Sequence, residues 1–79
     1  SMRVTARHLR RGAGKRMLEH LIQLARARGY TRLSLETGSG EPFDAAIAMY
    51  RRYGFTSGPA FGDYVGSEFN QFFHLELLA

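Results

Sequence analysis

The sequence contains no cysteine and no tryptophan, and only 2 of its 79 residues are proline. Without cysteine, neither disulfide bonds nor thiolate metal sites can stabilise the fold. No apolar run is long enough to span a membrane and no signal peptide is visible, so we expect a cytoplasmic protein. Ser1-Met2 has the form of a tag remnant before an initiator methionine. The predicted domain is therefore a single unit over residues 2–79.

The composition is that of a small globular domain. Hydrophobic residues make up 44% of the chain and aromatic residues 13%. These proportions exclude the apolar-poor composition of a disordered chain. A chain of this length buries only about 60–65% of its unfolded surface, so its own core gives marginal stability. A ligand or a partner chain would add to it.

Positive charge is concentrated in the first half of the sequence. The chain has 11 Lys and Arg against 7 Asp and Glu, and all the cations except Arg51 and Arg52 precede residue 33. This asymmetry favours an anionic partner, either a phosphorylated small molecule or a nucleic acid. A solvated basic face is the alternative.

Hydrophobic periodicity predicts a first helix over residues 12–28. Its apolar residues recur at spacings of three and four, which is typical of a helix with one buried face. That face consists of Ala13, Met17, Leu18, Leu21, Ile22, Leu24 and Ala25. Gly29 suits the left-handed position that ends a helix. Leu33 and Leu35 then alternate with polar residues, which predicts a strand over residues 30–37.

The remaining elements follow from the same patterns. A second helix over residues 42–53 places Phe43, Ala46, Ile47 and Tyr50 on one face and ends at Gly54. Extended segments are predicted over 55–56 and 71–78. The order helix–strand–helix–strand–strand predicts an α/β fold with helices packed on a mixed sheet. Met2 to Val4 is too short for a convincing strand and has the form of the tail of one.

Residues 9–21, LRRGAGKRMLEHL, combine glycines and cations at the start of the first helix. The first N–H groups of a helix have no intrahelical partner, and the helix dipole adds positive charge there. Glycine would let an anion approach the backbone, which predicts a phosphate site. The predicted contacts are Arg10, Arg11, Gly12, Ala13, Gly14 and Lys15.

Two alternatives to a phosphate site stay open. The segment fits neither the P-loop pattern nor the dinucleotide fingerprint, so a purely structural glycine turn explains it equally well. Nucleic-acid binding is the less favoured alternative. A strand, rather than a second helix, follows the first helix, which excludes a simple helix-turn-helix arrangement.

Three separate segments, in this order, resemble the GNAT superfamily of acyl-CoA-dependent N-acyltransferases. They are RRGAGKRMLEHLIQLARARGYTRLSLETGS over residues 10–39, FDAAIAMYRRYGF over 43–55, and F-G-D-Y … F-x-L-E-L near the C-terminus. The similarity is to the C-terminal half of a GNAT domain, especially in small bacterial members. It implies a partial GNAT fold and acetyl-CoA-dependent N-acetyltransferase activity.

The family's pyrophosphate loop, [QR]-x-x-G-x-[GA], falls on residues 9–14, with Leu9 in place of the leading Gln or Arg. The resemblance implies that Val4 lies beside the pantetheine arm of acetyl-CoA and that Phe43 and Ala46 also contact this cofactor. It implies that Tyr50 is the general acid toward the leaving thiolate. A core tyrosine with a hydrogen-bonded hydroxyl is the alternative.

The acceptor implied by the resemblance is an amine of a small molecule or a peptide. Asp63 and Tyr64 are candidate contacts to this substrate, and Glu36 is a weaker candidate for a general base. His8, His20 and His74 are dispersed and lack the spacing of metal ligands, so we predict no metal site.

The matching segments correspond to half a GNAT domain, which has two consequences. The strand after Gly29 is expected to have an unpaired edge, and we predict a homo-oligomer in which copies of the chain pair at such edges. We expect no membrane association. A non-catalytic protein that binds coenzyme A, or an interaction module, is the second functional hypothesis.

Overall fold

The computed structural model describes residues 2–5, 13–60 and 70–77, and its elements alternate between strands and helices. Their order is β1 (Met2–Thr5), α1 (Ala13–Ala27), β2 (Arg32–Thr37), a 3-10 helix (Glu41–Phe43), α2 (Asp44–Arg52), β3 (Thr56–Ser57) and β4 (Gln71–Glu76). The predicted α/β class is confirmed. Within these ranges no helix is both long and apolar enough to cross a bilayer.

The four strands form one mixed sheet in the order β1-β2-β4-β3. β1 runs parallel to β2, in a register from Met2↔Leu33 to Thr5↔Glu36. β4 lies antiparallel to β2 on its other side and also pairs with β3. β2 is therefore central, and the predicted unpaired edge of this strand is wrong. The edges of the described sheet are β1 and β3, and self-association through an edge stays a prediction.

β1 is the one described element absent from the predicted order. Only four residues form it, and a strand this short has no recognisable period of its own. Its partner β2 begins about thirty residues later in the sequence. The parallel ladder, rather than local sequence preference, therefore makes this segment a strand.

One face of the sheet and both helices share a single hydrophobic core. Residues of β2 and β4 on that face pack against α1, α2, the residue before β3 and the residue after β4. The buried members are Leu18, Ile22, Ala25, Leu33, Leu35, Tyr50, Phe55, Phe73 and Leu77. Met17, predicted in the buried face of α1, is instead 49% exposed. It lies at the border of the apolar stripe, about 100° around the helix from Leu18.

Both helices end in the same hydrogen-bonded motif, as their glycines predict. At the end of α1, Gly29 N–H donates to Arg26 and Tyr30 N–H to Ala25, each at 3.0 Å. At the end of α2, Gly54 N–H donates to Arg51 and Phe55 N–H to Tyr50, again at 3.0 Å. This is the Schellman pattern, which requires a left-handed residue after the helix. Gly29 and Gly54 accordingly have φ of 76° and 97°.

The cap of α2 also connects the helix to the core. In a Schellman motif an apolar contact joins the residue after the glycine to the last full turn of the helix. Here that contact is between the rings of Phe55 and Tyr50, whose centroids lie 6.1 Å apart. A hydrogen bond of 2.7 Å from Tyr53 Oη to Glu19 Oε2 further links α2 to α1.

The two glycine caps provide a matched pair for a stability measurement. Alanine at Gly29 would meet no atom within 4 Å and would carry only the strain of positive φ, about 1 kcal/mol. Alanine at Gly54 would also bring its Cβ to 3.3 Å from Leu75 Cδ1. We expect Gly54→Ala to lower the free energy of unfolding by about 2 kcal/mol, and Gly29→Ala by about half as much. Urea unfolding measures both, and equal losses would contradict the expected contact with Leu75.

Candidate functional site

The parallel pair and helix α1 define one edge of the molecule as the candidate site. β1 and β2 end side by side, with Thr5 opposite Glu36. In a strand–helix–strand unit the helix starts at the carboxyl end of the first strand, where ligands of α/β proteins bind. The N-terminus of α1 therefore belongs to the same edge as the end of β2.

The first turn of α1 has the features of an anion-binding helix start. It contains no acidic residue that would oppose an anion. Gly14 is buried and has no side chain, whereas Lys15 is exposed and can reach a bound anion. The helix begins at Ala13, so the N–H groups of these three residues have no partner within α1. The predicted contacts Arg10, Arg11 and Gly12 lie outside the described residues.

Tyr50 is fully buried on α2, facing the sheet. Its ring packs against Phe55 and, with a centroid distance of 5.9 Å, against Phe73 of β4. Its hydroxyl is buried without a hydrogen-bonding partner among the described residues. The structure thus agrees with the core position of the alternative interpretation but not with its hydrogen-bonded hydroxyl. Burial raises the pKa of Tyr50 above its ordinary value of 10.0, and the Thr37 hydroxyl partly opposes this shift.

Thr37 is a further candidate for the site, and it was not among the residues predicted from the sequence. It is the last residue of β2, is 4% exposed, and its Oγ1 also lacks a hydrogen-bonding partner. The hydroxyl lies beside Tyr50, near enough to affect its pKa but without the geometry of a hydrogen bond. A signal was present in the sequence. The alternation Leu33-x-Leu35-x-Thr37 places a polar residue on the apolar face of the strand.

Of the other predicted cofactor contacts, Ala46 and Val4 pack against the core that contains Tyr50, and Phe43 lies at the start of α2. Ala46 lies one turn before Tyr50 on the same face of α2 and packs against the core. Val4 is half-buried on the helix side of β1, opposite Leu35. Phe43 is half-buried at the end of the 3-10 helix, immediately before α2. All three assignments stay predictions, because no bound molecule tests them.

The candidate acceptor residues divide into two groups. Asp63 and Tyr64 lie outside the described residues. Glu36 is on the opposite face of β2 from Thr37, where its Oε2 accepts a hydrogen bond of 3.1 Å from Asn70 Nδ2. The described part of the chain contains no group of three or more metal-ligating side chains.

These features define an α/β domain with a candidate ligand site at the carboxyl end of a parallel strand pair. The sequence profile of the Acetyltransferase (GNAT) family matches residues 1–55. The chain therefore belongs to the GNAT acetyltransferase family.

Two bacterial relatives agree with the family assignment. A Bacillus subtilis protein named "Uncharacterized N-acetyltransferase YsnE" is 50% identical over 64 residues, which are 81% of this chain and 42% of the relative. An Escherichia coli protein named "Uncharacterized N-acetyltransferase YedL" is 39% identical over 77 residues, which are 98% of this chain and 48% of the relative. The chain thus spans less than half the length of these curated relatives.

The unpaired hydroxyl of Tyr50 predicts an unusual response to its removal. Tyr50→Phe deletes a buried polar group that has no partner, so we expect the free energy of unfolding at pH 7 to stay unchanged or to rise by up to about 1 kcal/mol. Chemical unfolding at neutral pH measures this. A loss of about 1 kcal/mol or more would show that the hydroxyl is hydrogen-bonded in the native protein.

The pH dependence of stability gives a second test of the same hydroxyl. Burial raises the pKa of Tyr50 in the folded state above the unfolded value of 10.0. The stability that comes with the protonated hydroxyl is therefore fully present below pH 10 and is lost as the pH rises through the folded pKa. Tyr50→Phe should therefore lose less stability than the parent between about pH 9.5 and 11. Some loss will remain, because a hydrogen bond to Glu19 raises the pKa of Tyr53 as well. Equal slopes for parent and variant would contradict the effect of burial.

Proposed function

We propose that this chain carries the acetyl-CoA-binding part of an N-acetyltransferase, with the amine of a small molecule or peptide as acceptor. Family membership supports the reaction class. The observation that carries the proposal is the unpaired, buried Tyr50 hydroxyl at the same edge as the start of α1. The two features would hold opposite ends of one extended molecule, one end anionic and the other uncharged.

The residues at this edge fit acetyl-CoA in their chemistry. The N–H groups of Ala13, Gly14 and Lys15 suit a diphosphate, and the Lys15 ammonium adds charge that attracts it. The backbone of β1 that faces away from β2 suits an extended pantetheine arm, which would add to the sheet edge like a strand. When bound, acetyl-CoA supplies a thioester whose carbonyl carbon accepts an amine and whose sulfur leaves as a thiolate.

Tyr50 is suited to hold the proton that such a leaving group needs. Burial raises its pKa, so the phenol is fully protonated at neutral pH. Its Oη has no competing acceptor among the described residues, so its proton is available to a bound molecule. A positioned acid of this kind contributes typically about 10²–10⁴-fold to a rate. The packing against Phe55 and Phe73 fixes the ring and excludes water.

The partners follow from the same proposal. An amine acceptor would approach the thioester from outside the described core. A second copy of the chain is the proposed partner at a sheet edge, now β1 or β3 rather than β2. β1 cannot hold a partner strand and a pantetheine arm at the same positions, so these two interactions would compete there.

A charge reversal at each end of α1 tests the proposed anion site. Lys15→Glu places a carboxylate in the first turn, where the helix dipole favours it, so α1 should not be destabilised. The same carboxylate repels a diphosphate. We expect the Kd for coenzyme A, measured by calorimetry, to rise by about 3- to 10-fold.

Arg26→Glu is the matched control. Arg26 is an exposed cation in the last turn of the same helix, and its reversal changes the net charge of the chain by the same amount. Its distance from the first turn should leave the affinity within about twofold of the parent value. Equal weakening by both variants would indicate non-specific attraction by net charge. An absence of measurable binding by the parent would refute the proposed function.

Thiol release from acetyl-CoA, with a panel of amines, tests the proposed role of Tyr50. We expect Tyr50→Phe to slow release by about 100-fold or more, and to change the affinity for coenzyme A far less. Tyr53→Phe is the control, because Tyr53 lies three residues away at the C-terminal cap of α2 and its hydroxyl donates to Glu19 instead. A chain that binds coenzyme A but releases no thiol would support the alternative of a non-catalytic binding module.

A further inference from the structure

The two orphaned hydroxyls are exceptional among the buried polar groups of this structure. Thr37 Oγ1 and Tyr50 Oη are the buried side-chain atoms without a hydrogen-bonding partner in the described residues. Leaving a buried hydroxyl unpaired destabilises the fold, because the group loses its hydrogen bonds to water and gains no replacement. A small domain has little stability to lose, so two such destabilising groups suggest a role in binding rather than in the fold.

Ser34 shows that the same strand can satisfy a buried hydroxyl. It is 2% exposed on β2, three residues before Thr37, on the opposite face. Its Oγ lies 2.8 Å from His74 Nδ1, and His74 Nε2 lies 2.8 Å from the carbonyl oxygen of Pro59. A carbonyl only accepts, so Nε2 is the donor to Pro59, and the Ser34 hydroxyl pairs with Nδ1. Among the described residues, the buried hydroxyl of Ser34 on that face is therefore paired, whereas the two buried hydroxyls on the helix face are not.

The place of Thr37 points to a ligand rather than to packing. It ends β2 on the face that carries Leu33 and Leu35, and Gly38 after it is also buried. Valine has the same shape and would fill this position without an unpaired hydroxyl. Its register partner Gln71 does not supply the missing bond, because Gln71 Nε2 donates instead to Ser39 Oγ at 2.9 Å.

We propose that Thr37 is a second ligand-contacting residue of this site, and that its hydroxyl and that of Tyr50 pair with one uncharged polar group of a bound molecule. The surroundings set the chemical class of that group. The described side chains of this cluster are aromatic and aliphatic, among them Phe55, Phe73 and Ala46. The charge of exposed Arg51, however, lies 5.3 Å from the Phe73 ring centroid. An uncharged thioester end fits this mostly apolar cluster better than a phosphate or an ammonium group does, because burying an ion there costs more. The inference rests on the proposed function. In it, Thr37 positions the thioester end whose sulfur Tyr50 protonates as that sulfur leaves.

Thr37→Val and Thr37→Ser in the full chain separate a ligand-binding role from a structural one. Thr37→Val removes the hydroxyl and keeps the shape, so we expect a melting temperature equal to or above that of the parent. Its Kd for acetyl-CoA should rise by about 3- to 10-fold, the equivalent of one hydrogen bond. Thr37→Ser keeps the hydroxyl and should retain affinity within about twofold, although the lost methyl lowers its melting temperature.

A fragment of coenzyme A that has the nucleotide but lacks the pantetheine arm completes the design. Thr37→Val should bind this fragment as the parent does, because the fragment does not reach the hydroxyls. Equal affinity of parent and Thr37→Val for acetyl-CoA, or a clear fall in melting temperature for Thr37→Val, would overturn the assignment of Thr37 alone. A parent chain that binds neither compound would instead refute the proposed function, and the inference with it.

Discussion

The packing of one aromatic ring holds this structure and its site together. Tyr50 joins α2 to the sheet through Phe73, and the cap at Gly54 also brings Phe55 against the Tyr50 ring. A buried aromatic side chain contributes a large part of the stability of a small core, so this contact fixes α2. The same contact places a hydroxyl where none of the groups in the described ranges pairs with it. Stability and the candidate chemistry thus depend on the same side chain. The ring of Tyr50 stabilises the core, and its hydroxyl is the candidate acid.

Features with local causes could be predicted from the sequence. The glycines at 29 and 54 predict the ends of both helices, because left-handed backbone at those positions is a property of the residue itself. The alternation around Leu33 predicts β2 for a similar reason. β1 could not be predicted with confidence, since a strand of four residues depends on a distant partner. The insertion of β4 between β2 and β3 is likewise a matter of long-range pairing, and it removed the expected free edge of β2.

The candidate site was predictable to a different extent. Tyr50 entered through the family resemblance, and its burial agrees with the helical face on which Ala46 and Ile47 also lie. Whether its hydroxyl had a partner could not be known, because hydrogen bonding depends on which strand end comes to lie beside α2. Thr37 was missed for a related reason. Threonine is common in strands, and only its place on the apolar face, together with the absence of a partner, distinguishes it.

The two faces of the sheet differ in how their polar groups are satisfied, and this difference indicates where a ligand belongs. The face away from the helices carries several polar side chains that pair with one another, among them Arg32 with Glu76 at 2.8 Å and Ser34 with His74. The helix face is nearly apolar, and its two buried hydroxyls have no hydrogen-bonding partner in the part of the chain that the structure describes. A count of polar residues would select the first face. The unpaired buried hydroxyls instead select the helix face. A bound molecule gains more binding free energy from a hydrogen bond to such a group than from one to a group that is already paired.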